Sequence, residues 1–141
     1  MIVVDTNVVS EFMVSPPAQA VLEWLNAQDA ADLYLTTISI AEISFGLRVM
    51  PDGQRRRLLS DRFKQFLGAA FASRILSFDE DAARAYGEIR GHRRELGRPM
   101  SAFDGQIAAI ARTRGFAMAT RNIRDFADCG LELINPFSPA Q

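Results

Sequence analysis

The chain has almost none of the residues on which several kinds of protein site depend. Cys129 is its single cysteine, which excludes an internal disulfide and a cysteine-based metal cluster. His92 is its single histidine, so a zinc site built from several imidazoles is also excluded. We expect Cys129 to contribute to packing, and we expect His92 to lie on the surface and not to act as a catalytic base.

Long apolar runs are absent as well. No segment approaches the roughly 20 apolar residues needed to span a bilayer. The N-terminus has neither the charged region nor the long apolar region of a signal peptide. We therefore expect a cytoplasmic protein without membrane association. The 141 residues, 48% hydrophobic and 23% charged, suit one ordered domain over residues 1–141.

Lysine is nearly absent, because Lys64 is the one lysine among 16 basic residues and the other 15 are arginines. The net charge is −1, so the chain has no bulk basic character. Arginine suits phosphate recognition because its planar guanidinium donates two parallel hydrogen bonds. The arginines cluster at 55–62, 90–98 and 121–124. A solvated helix face is the other interpretation, and it is weaker for Arg121 and Arg124, which flank the candidate site described below.

Short apolar runs alternate with segments of helical period along the chain. Strands are predicted at 2–4, 33–36, 74–77, 116–119 and 131–134. Helices are predicted at 8–13, 17–28, 38–50, 54–72, 80–96 and 101–115. Strands that alternate with helices indicate right-handed crossovers and a mainly parallel sheet covered by helices. The predicted fold class is therefore α/β.

Four acidic residues interrupt or end apolar segments: Asp5, Glu42, Asp104 and Asp125. Burying a carboxylate is costly unless it is paired, hydrogen-bonded or bound to a cation. Asp5 and the turn that holds Asp125 follow predicted strands, and ligands of open α/β sheets bind at the carboxyl ends of strands. If the fold brings the four acids together, oxygen ligands without His or Cys favour Mg²⁺ or Mn²⁺.

Each acid also has a purely structural interpretation. Asp5 is equally suited to cap the helix that follows it. Ser101 and Asp104 match a capping box, in which the acid serves the helix end, and Asp125 could cap a short turn. Glu42 lies in a helix that is apolar on most faces, so we expect that helix to be mostly buried and Glu42 to need a partner.

Four short motifs are spread along the chain. They are Val4-Asp5-Thr6-Asn7, Ala41-Glu42, Ala102-Phe103-Asp104 and Ala119-Thr120-Arg121-Asn122. As a set, they resemble the motifs of PIN-domain ribonucleases and, more closely, of the VapC/FitB toxins of type II toxin–antitoxin modules. The resemblance covers essentially the whole chain. It implies a PIN-like α/β/α sandwich with a mainly parallel central sheet, RNA cleavage dependent on Mg²⁺ or Mn²⁺, and homodimers held inactive by an antitoxin.

The resemblance also implies roles for individual residues. Asp5, Glu42 and Asp104 map onto the three core acidic positions, where they would act in catalysis and hold the metal. At the fourth position some relatives carry Asp where this chain has Asn122, so either Asp125 supplies the fourth catalytic carboxylate or only three acids bind metal. The residues expected to contact substrate or support the acids are Thr6, Thr120, Arg121 and Asn122.

These patterns favour a metal-dependent endoribonuclease, with RNA as substrate and a cognate antitoxin as partner. The alternative is a PIN-like module that binds RNA or an antitoxin without cutting, which the departure at Asn122 motivates. An aspartate-based phosphotransfer domain is disfavoured, because Asp5-Thr6-Asn7 lacks a second aspartate and Lys64 lies within a predicted helix.

Overall fold

A computed structural model describes residues 1–13 and 16–138. The strands are β1 (Ile2–Val4), β2 (Leu33–Thr36), β3 (Ile75–Leu76), β4 (Ala117–Ala119) and β5 (Leu133–Ile134). The helices are α1 (Thr6–Met13), α2 (Gln19–Asn26), α3 (Thr37–Val49), α4 (Gln54–Phe66), α5 (Glu80–Glu95) and α6 (Ala102–Arg114). The strands form one sheet in the order β3-β2-β1-β4-β5, and every neighbouring pair is parallel. The predicted α/β class with a parallel sheet is confirmed.

Two apolar clusters cover the two faces of the sheet, as successive residues of β1 demonstrate. Val3 packs with Ile89 of α5 and with Ile107 of α6. Val4 packs with Val8 of α1 and with other residues of α1 to α4. Side chains of a strand alternate between its faces, so adjacent valines enter opposite clusters. The result is a sheet between two helical layers, which is the expected sandwich.

The ends of the helices depend on local chemistry that the sequence displays. Asp79 accepts a hydrogen bond from the Ala82 N–H, and Ser101 accepts one from the Asp104 N–H, so both N-caps form. Gly115 ends α6 with a φ of 70°, a left-handed conformation that glycine adopts without strain. The Ser101 cap was predicted from the capping-box match, and the end of α6 at Gly115 agrees with the helix predicted over 101–115.

Other element boundaries differ from prediction. The predicted helix at 54–72 is α-helical only to Phe66, and a turn of π-helix over Leu67–Phe71 follows. The Ala72 N–H bonds to the Leu67 carbonyl, five residues back, and Phe71 is fully buried there. The short 3₁₀ turn at Ala30–Asp32 was not predicted, and the turn expected around Asp125 is a 3₁₀ turn over Ile123–Phe126.

Helix α3 is less buried than its composition predicts. Only Ser39 and Ile43 of this helix are buried. Phe45 and Val49, one turn apart, are 69% and 62% exposed. The expectation of burial on most faces is wrong for the single chain, because α3 packs on the sheet along one stripe and leaves an apolar face uncovered.

The strand order creates a topological switch point between β1 and β4. From β1 the chain moves outward through β2 to β3, and it then returns to the other side of β1 for β4. Open α/β sheets bind ligands at the carboxyl ends of strands that flank such a point. The ends of α3 and α6 that carry Glu42 and Asp104 lie near this edge. Among the helices of the described residues, none has the length and hydropathy to cross a membrane.

Candidate active site

Asp5 is fixed at the carboxyl edge of the sheet by its neighbours on β1 and β4. The pairing of Val4 with Ala119 places Asp5 beside Thr120. The Thr120 hydroxyl donates to Asp5 Oδ2 over 2.8 Å, and the Thr6 N–H donates to Oδ1 over 2.8 Å. Each carboxylate oxygen therefore has one donor and keeps lone-pair capacity for a further partner.

Glu42 of α3 is tied to the start of α1 by two hydroxyls. The Thr6 hydroxyl donates to Glu42 Oε1 over 3.0 Å and lies 2.8 Å from the Ser39 hydroxyl. Thr6 has one hydroxyl proton, so while it donates to Glu42 it must accept from Ser39. The Ser39 N–H in turn donates to the Thr36 Oγ1 that caps α3. Glu42 thus has the partner that its position in an apolar helix required.

Asp104 lies in the first turn of α6, where the helix dipole favours a negative charge. Its N–H donates to the Ser101 hydroxyl, which forms half of the predicted capping box. The hydrogen bonds found among the described residues do not include the reciprocal bond from the Asp104 carboxylate to the Ser101 N–H. The Ser101 hydroxyl also lowers the pKa of the Asp104 carboxylate, so the helix cap and the cavity share this acid.

A cavity of about 460 Å³ gathers most of the predicted site residues. It is lined by Asp5, Thr6, Asn7, Ser10, Glu11, Glu42, Asp104, Arg121 and Asn122. Thr120 is fully buried beneath it, where it contacts Asp5. Asp125 is exposed and does not line the cavity. Of the two candidates for the fourth acidic position, the structure places Asn122 in the cavity wall and Asp125 outside the lining.

Three of the four acids that line the cavity have raised pKa values. Burial raises the pKa of Asp5 to about 6, against the lowering effect of the bonds from Thr120 and Thr6, and the charges of Asp104 and Glu42 raise it further. Burial also raises the pKa of Glu42 and of Asp104. The Asp104 charge adds to the rise at Glu42, and the Asp125 charge adds to the rise at Asp104. Carboxylates with mutually raised pKa values are typical of functional sites.

The donor set fits a hard divalent cation, although the acids do not enclose one. Among the described residues, no group of three or more His, Cys, Asp or Glu side chains is arranged so that it could hold a metal ion. Mg²⁺ does not require such a cage, since proteins usually bind it through one or two carboxylates, several waters and substrate phosphates. A cation between Asp5 and Asp104 would offset the charge of Asp104, which helps to raise the pKa of Asp5.

A larger and more apolar cavity of about 660 Å³ adjoins the acidic one. The two cavities share Thr6, Ser10 and Glu42. The remaining lining of the larger cavity is Met13, Ile43, Gly46, Leu47, Met50, Arg55, Leu58, Leu59 and Arg62. The carboxylates other than Glu42 lie in the smaller cavity, which is therefore where we place the chemistry.

Three lining residues were not singled out from the sequence. Asn7, Ser10 and Glu11 lie on α1 at a spacing of three and four residues, which places them on one face of the helix. That polar stripe on an otherwise apolar helix was the available signal. Asn7 Oδ1 accepts from the Arg121 N–H, and Glu11 Oε1 accepts from the Ala18 N–H. Both side chains therefore position backbone beside the cavity.

Arg93 lies in one of the arginine clusters for which a solvated helix face was the other interpretation, and that interpretation does not fit this residue. It is 4% exposed, and its guanidinium donates to the carbonyls of Arg98, Asp125 and Ala127. A buried guanidinium needs such acceptors because it cannot lose its proton. Arg93 thereby ties α5 to the turn behind Asp104, and its charge lowers the pKa of Asp104. His92 was expected on the surface and is exposed, and Cys129 was expected in the packing and is buried.

Known proteins resemble this chain over its length. The family model for the PIN domain matches residues 2–130. The VapC ribonuclease Y4jK of Sinorhizobium fredii is 44% identical over 99% of this chain and 100% of its own length. The toxin FitB of Neisseria gonorrhoeae is 36% identical over 97% of this chain and 99% of its own length. The crystal structure of FitAcB from the same organism superimposes with a TM-score of 0.89 at 36% identity, covering 97% of this chain and 99% of that one.

Proposed function

Because this chain belongs to the PIN-domain family, we propose that it is a divalent-metal-dependent endoribonuclease and the toxin component of a type II toxin–antitoxin pair. The observation that carries the proposal is the cavity in which Asp5, Glu42 and Asp104 meet, although 37 and 62 residues separate them along the chain. Relatives of similar length are named as a VapC ribonuclease and as a toxin. We do not propose the alternative function of an aspartate-based phosphotransfer domain.

The binding-only alternative rested on Asn122 in place of an aspartate. The cavity is still acidic despite that departure, since four acidic residues line it, including Asp5, Glu42 and Asp104, and Asn122 lines it with them. The amide oxygen of Asn122 is a neutral ligand that Mg²⁺ accepts. Nothing in the geometry of the site favours a module that binds without cutting.

Asp5 and Asp104 are the proposed metal ligands, with Mg²⁺ or Mn²⁺ as the cation. A divalent cation supplies positive charge against a phosphate oxygen and lowers the pKa of a bound water. Asp5 suits this role because hydrogen bonds from Thr120 and Thr6 fix the direction of both its oxygens. Asp104 suits it because its carboxylate stands at the positive end of α6.

Glu42 is the proposed general base. Its raised pKa brings it closer to the pH at which the enzyme works, which favours proton transfer. Thr6 occupies Oε1, and Oε2 is the atom proposed to take a proton from the attacking water. One P–O bond then forms from water and another breaks, which leaves a phosphomonoester and a free hydroxyl. The proton on Glu42 can return to the departing oxygen.

The partners proposed are RNA as substrate, a cognate antitoxin, and a second copy of the chain. The uncovered face of α3 supports the homodimer, since Ala41, Phe45 and Val49 repeat every four residues and all are exposed. We propose that the chain acts as a single domain in the cytoplasm. Light scattering during size-exclusion chromatography tests the dimer, and Phe45→Asp should yield the monomer.

The activity is tested by mapping new RNA 5′ ends after induction without antitoxin. Wild type is compared with Asp104→Asn and with Asp81→Asn, a control that removes an exposed carboxylate in the first turn of α5. New ends should appear with wild type and Asp81→Asn and be absent with Asp104→Asn. Identical profiles from all three folded proteins would overturn the ribonuclease assignment.

Metal dependence has a readout that does not need cleavage. A ligand that binds only the folded state raises its stability by about 2.7 kcal/mol at 100 times the dissociation constant. Added Mg²⁺ or Mn²⁺ should therefore raise the thermal midpoint of wild type and of Asp81→Asn, and EDTA should reverse the rise. The same midpoint shift in Asp5→Asn would show that the cation binds elsewhere.

A further inference from the structure

Arg121 lies at the wall of the acidic cavity with its guanidinium stacked on an aromatic ring. Its Cζ is 4.4 Å from the centroid of the Phe137 ring. A cation held over an aromatic face at this distance is attracted by the negative charge of the ring face. The sequence predicts a substrate contact at Arg121, but it does not indicate what holds the side chain in place.

The backbone of Arg121 is fixed at the edge of the sheet. Its N–H donates to Asn7 Oδ1 over 3.2 Å. The residues on either side are coupled, because the Asn122 N–H donates to Thr120 Oγ1 over 3.0 Å while Thr120 donates to Asp5. The base of the Arg121 side chain is therefore anchored to the same residues that orient Asp5.

The ring beneath the guanidinium is also held firmly. The Phe137 N–H donates to Asn135 Oδ1 over 2.9 Å, and the preceding Pro136 is buried. The Phe137 ring is partly buried against the apolar cluster that contains Val4 and Val8. The platform for the guanidinium is thus continuous with the core of the protein.

The guanidinium keeps its hydrogen-bond donors for a ligand. In residues 1–13 and 16–138, no salt bridge or side-chain hydrogen bond engages the Arg121 guanidinium, although Asp5, Glu42 and Asp104 line the same cavity. The contact of Cζ with the ring gives the N–H groups no oxygen acceptor, and these donors lie in the plane of the guanidinium. Those in-plane donors match the geometry of a phosphate, which accepts two of them in parallel.

We propose that Arg121, held by Phe137, forms a binding site for a phosphate of the RNA backbone beside the acidic cavity. The inference rests on the proposed function for the identity of its ligand. The four carboxylates of the cavity lining repel a polyanion, and a fixed arginine at the cavity wall offsets that repulsion. Phe137 is a positioning residue: it keeps the guanidinium off the carboxylates and facing the substrate.

The test measures binding of a short labelled single-stranded RNA of mixed sequence to the Asp104→Asn protein in Mg²⁺ over a series of salt concentrations. Loss of one phosphate contact on a single strand lowers the slope of log affinity against log salt by about 0.7. Arg121→Ala should reduce both affinity and slope in this way. Phe137→Leu should weaken binding about threefold, the effect of a partly exposed cation–π contact, and Phe137→Tyr should bind like the parent.

Two variants control for general damage. Phe116→Leu removes a partly buried ring that pairs with Tyr34 at 4.8 Å, at the opposite edge of the sheet. Arg84→Ala removes an exposed arginine that pairs with Glu80 on α5. Both should bind RNA with the parent's affinity and slope. Thermal midpoints identify any variant that is not folded. If Phe137→Leu does not fold, the comparison of Arg121→Ala with Arg84→Ala still tests the phosphate site.

The inference and the proposed function fail separately. The proposal of a phosphate site would be overturned if Arg121→Ala left the affinity and the slope unchanged. It would also be overturned if the Asp104→Asn protein bound no RNA. Either result would hold even if wild type cuts RNA. Phe137→Leu that binds like the parent would overturn the positioning role. A wild type that does not cut, combined with a reduced slope in Arg121→Ala, would support the site and reject the ribonuclease.

Discussion

The Thr120 hydroxyl donates a hydrogen bond to Oδ2 of Asp5 over 2.8 Å, although the two residues are 115 positions apart in the sequence. Thr120 is fully buried and Asp5 is 5% exposed, so water cannot replace this bond. The bond directs one Asp5 oxygen into the sheet edge and lowers the pKa of the acid against the effect of burial. It also connects the strand that carries Asp5 to the turn that carries Arg121 and Asn122.

Thr120→Val should shift the pH dependence of cleavage. Without the hydroxyl, the pKa of Asp5 rises further above its value of about 6, so the acidic limb of the kcat/KM profile should move to higher pH. The unpaired carboxylate oxygen should also lower the free energy of unfolding by about 1–3 kcal/mol. Thr120→Ser keeps the donor and should retain the wild-type profile. Superimposable profiles for wild type and Thr120→Val would contradict the prediction.

Asp5→Asn should stabilise the metal-free protein at neutral pH. The pKa of Asp5 is 3.8 in the unfolded chain and about 6 in the fold, so the folded state holds this proton to higher pH. Unfolding releases a proton between these values, and stability therefore falls as pH rises through this window. The loss is complete above pH 6 and corresponds to about 3 kcal/mol.

Urea unfolding in EDTA measures this effect. The advantage of Asp5→Asn should be greatest above pH 6 and should disappear below the unfolded-state value of 3.8. Added Mg²⁺ should narrow the difference, because the cation stabilises only the protein that keeps Asp5. A difference between the two proteins that is independent of pH would show that ionisation of Asp5 is not its source.

Asp104→Asn and Asp125→Asn should differ in their effect on cleavage. Asp104 lines the cavity, and its loss should reduce kcat by about 100-fold or more. Asp125 is exposed outside the cavity, and its loss removes only a charge that raises the pKa of Asp104. Asp125→Asn should therefore cost less than about tenfold, well under the range for a catalytic acid or base. Equal losses of activity would assign the fourth acidic position to Asp125.

Gly105→Ala should destabilise the protein and misplace Asp104. A Cβ at residue 105 would lie 3.0 Å from the Tyr86 ring and 3.0 Å from Cγ of Arg90, so these two side chains of α5 would have to move away from α6. We expect a loss of about 1–3 kcal/mol in the free energy of unfolding and a lower rate of cleavage. The measurements are urea unfolding and RNA cleavage.

Gly91→Ala is the matched control for Gly105→Ala. Gly91 lies within α5, and a Cβ there would have no neighbour within 4 Å. Alanine restricts the unfolded chain and favours the helix, so this variant should gain about 0.5–1 kcal/mol. A loss of stability from Gly91→Ala equal to that from Gly105→Ala would mean that the packing between α5 and α6 is not the cause.

Locally determined features could be predicted from the sequence. The apolar run before Asp5, the Ser101 cap and the left-handed Gly115 depend on residues within one helical turn, and all three appear in the structure. Glu42 was correctly expected to need a partner, because a carboxylate in an apolar helix is costly without one. The alternation of strands and helices indicated the parallel sheet.

Residues whose role depends on distant neighbours could not be predicted in the same way. Arg93 has the same local sequence character as its exposed neighbour Arg94, yet it is buried because carbonyls of Asp125 and Ala127 surround it. Phe137 follows the last strand and has no local link to Arg121. Such contacts depend on how separate elements pack, and a sequence pattern does not encode that packing locally.

The sequence by itself determined the chemistry of the site: three core acids, a threonine directly after Asp5, and a single imidazole and a single thiol, which are too few to build a site for a softer metal. The tertiary structure alone decided the arrangement. It placed Asn122 and not Asp125 in the cavity wall, and it stacked Arg121 on Phe137. The type of a side chain is given by one residue of the sequence. Whether that side chain lines a cavity depends on the pairing of β1 with β4 and on the packing of α3 and α6 against the ends of these strands.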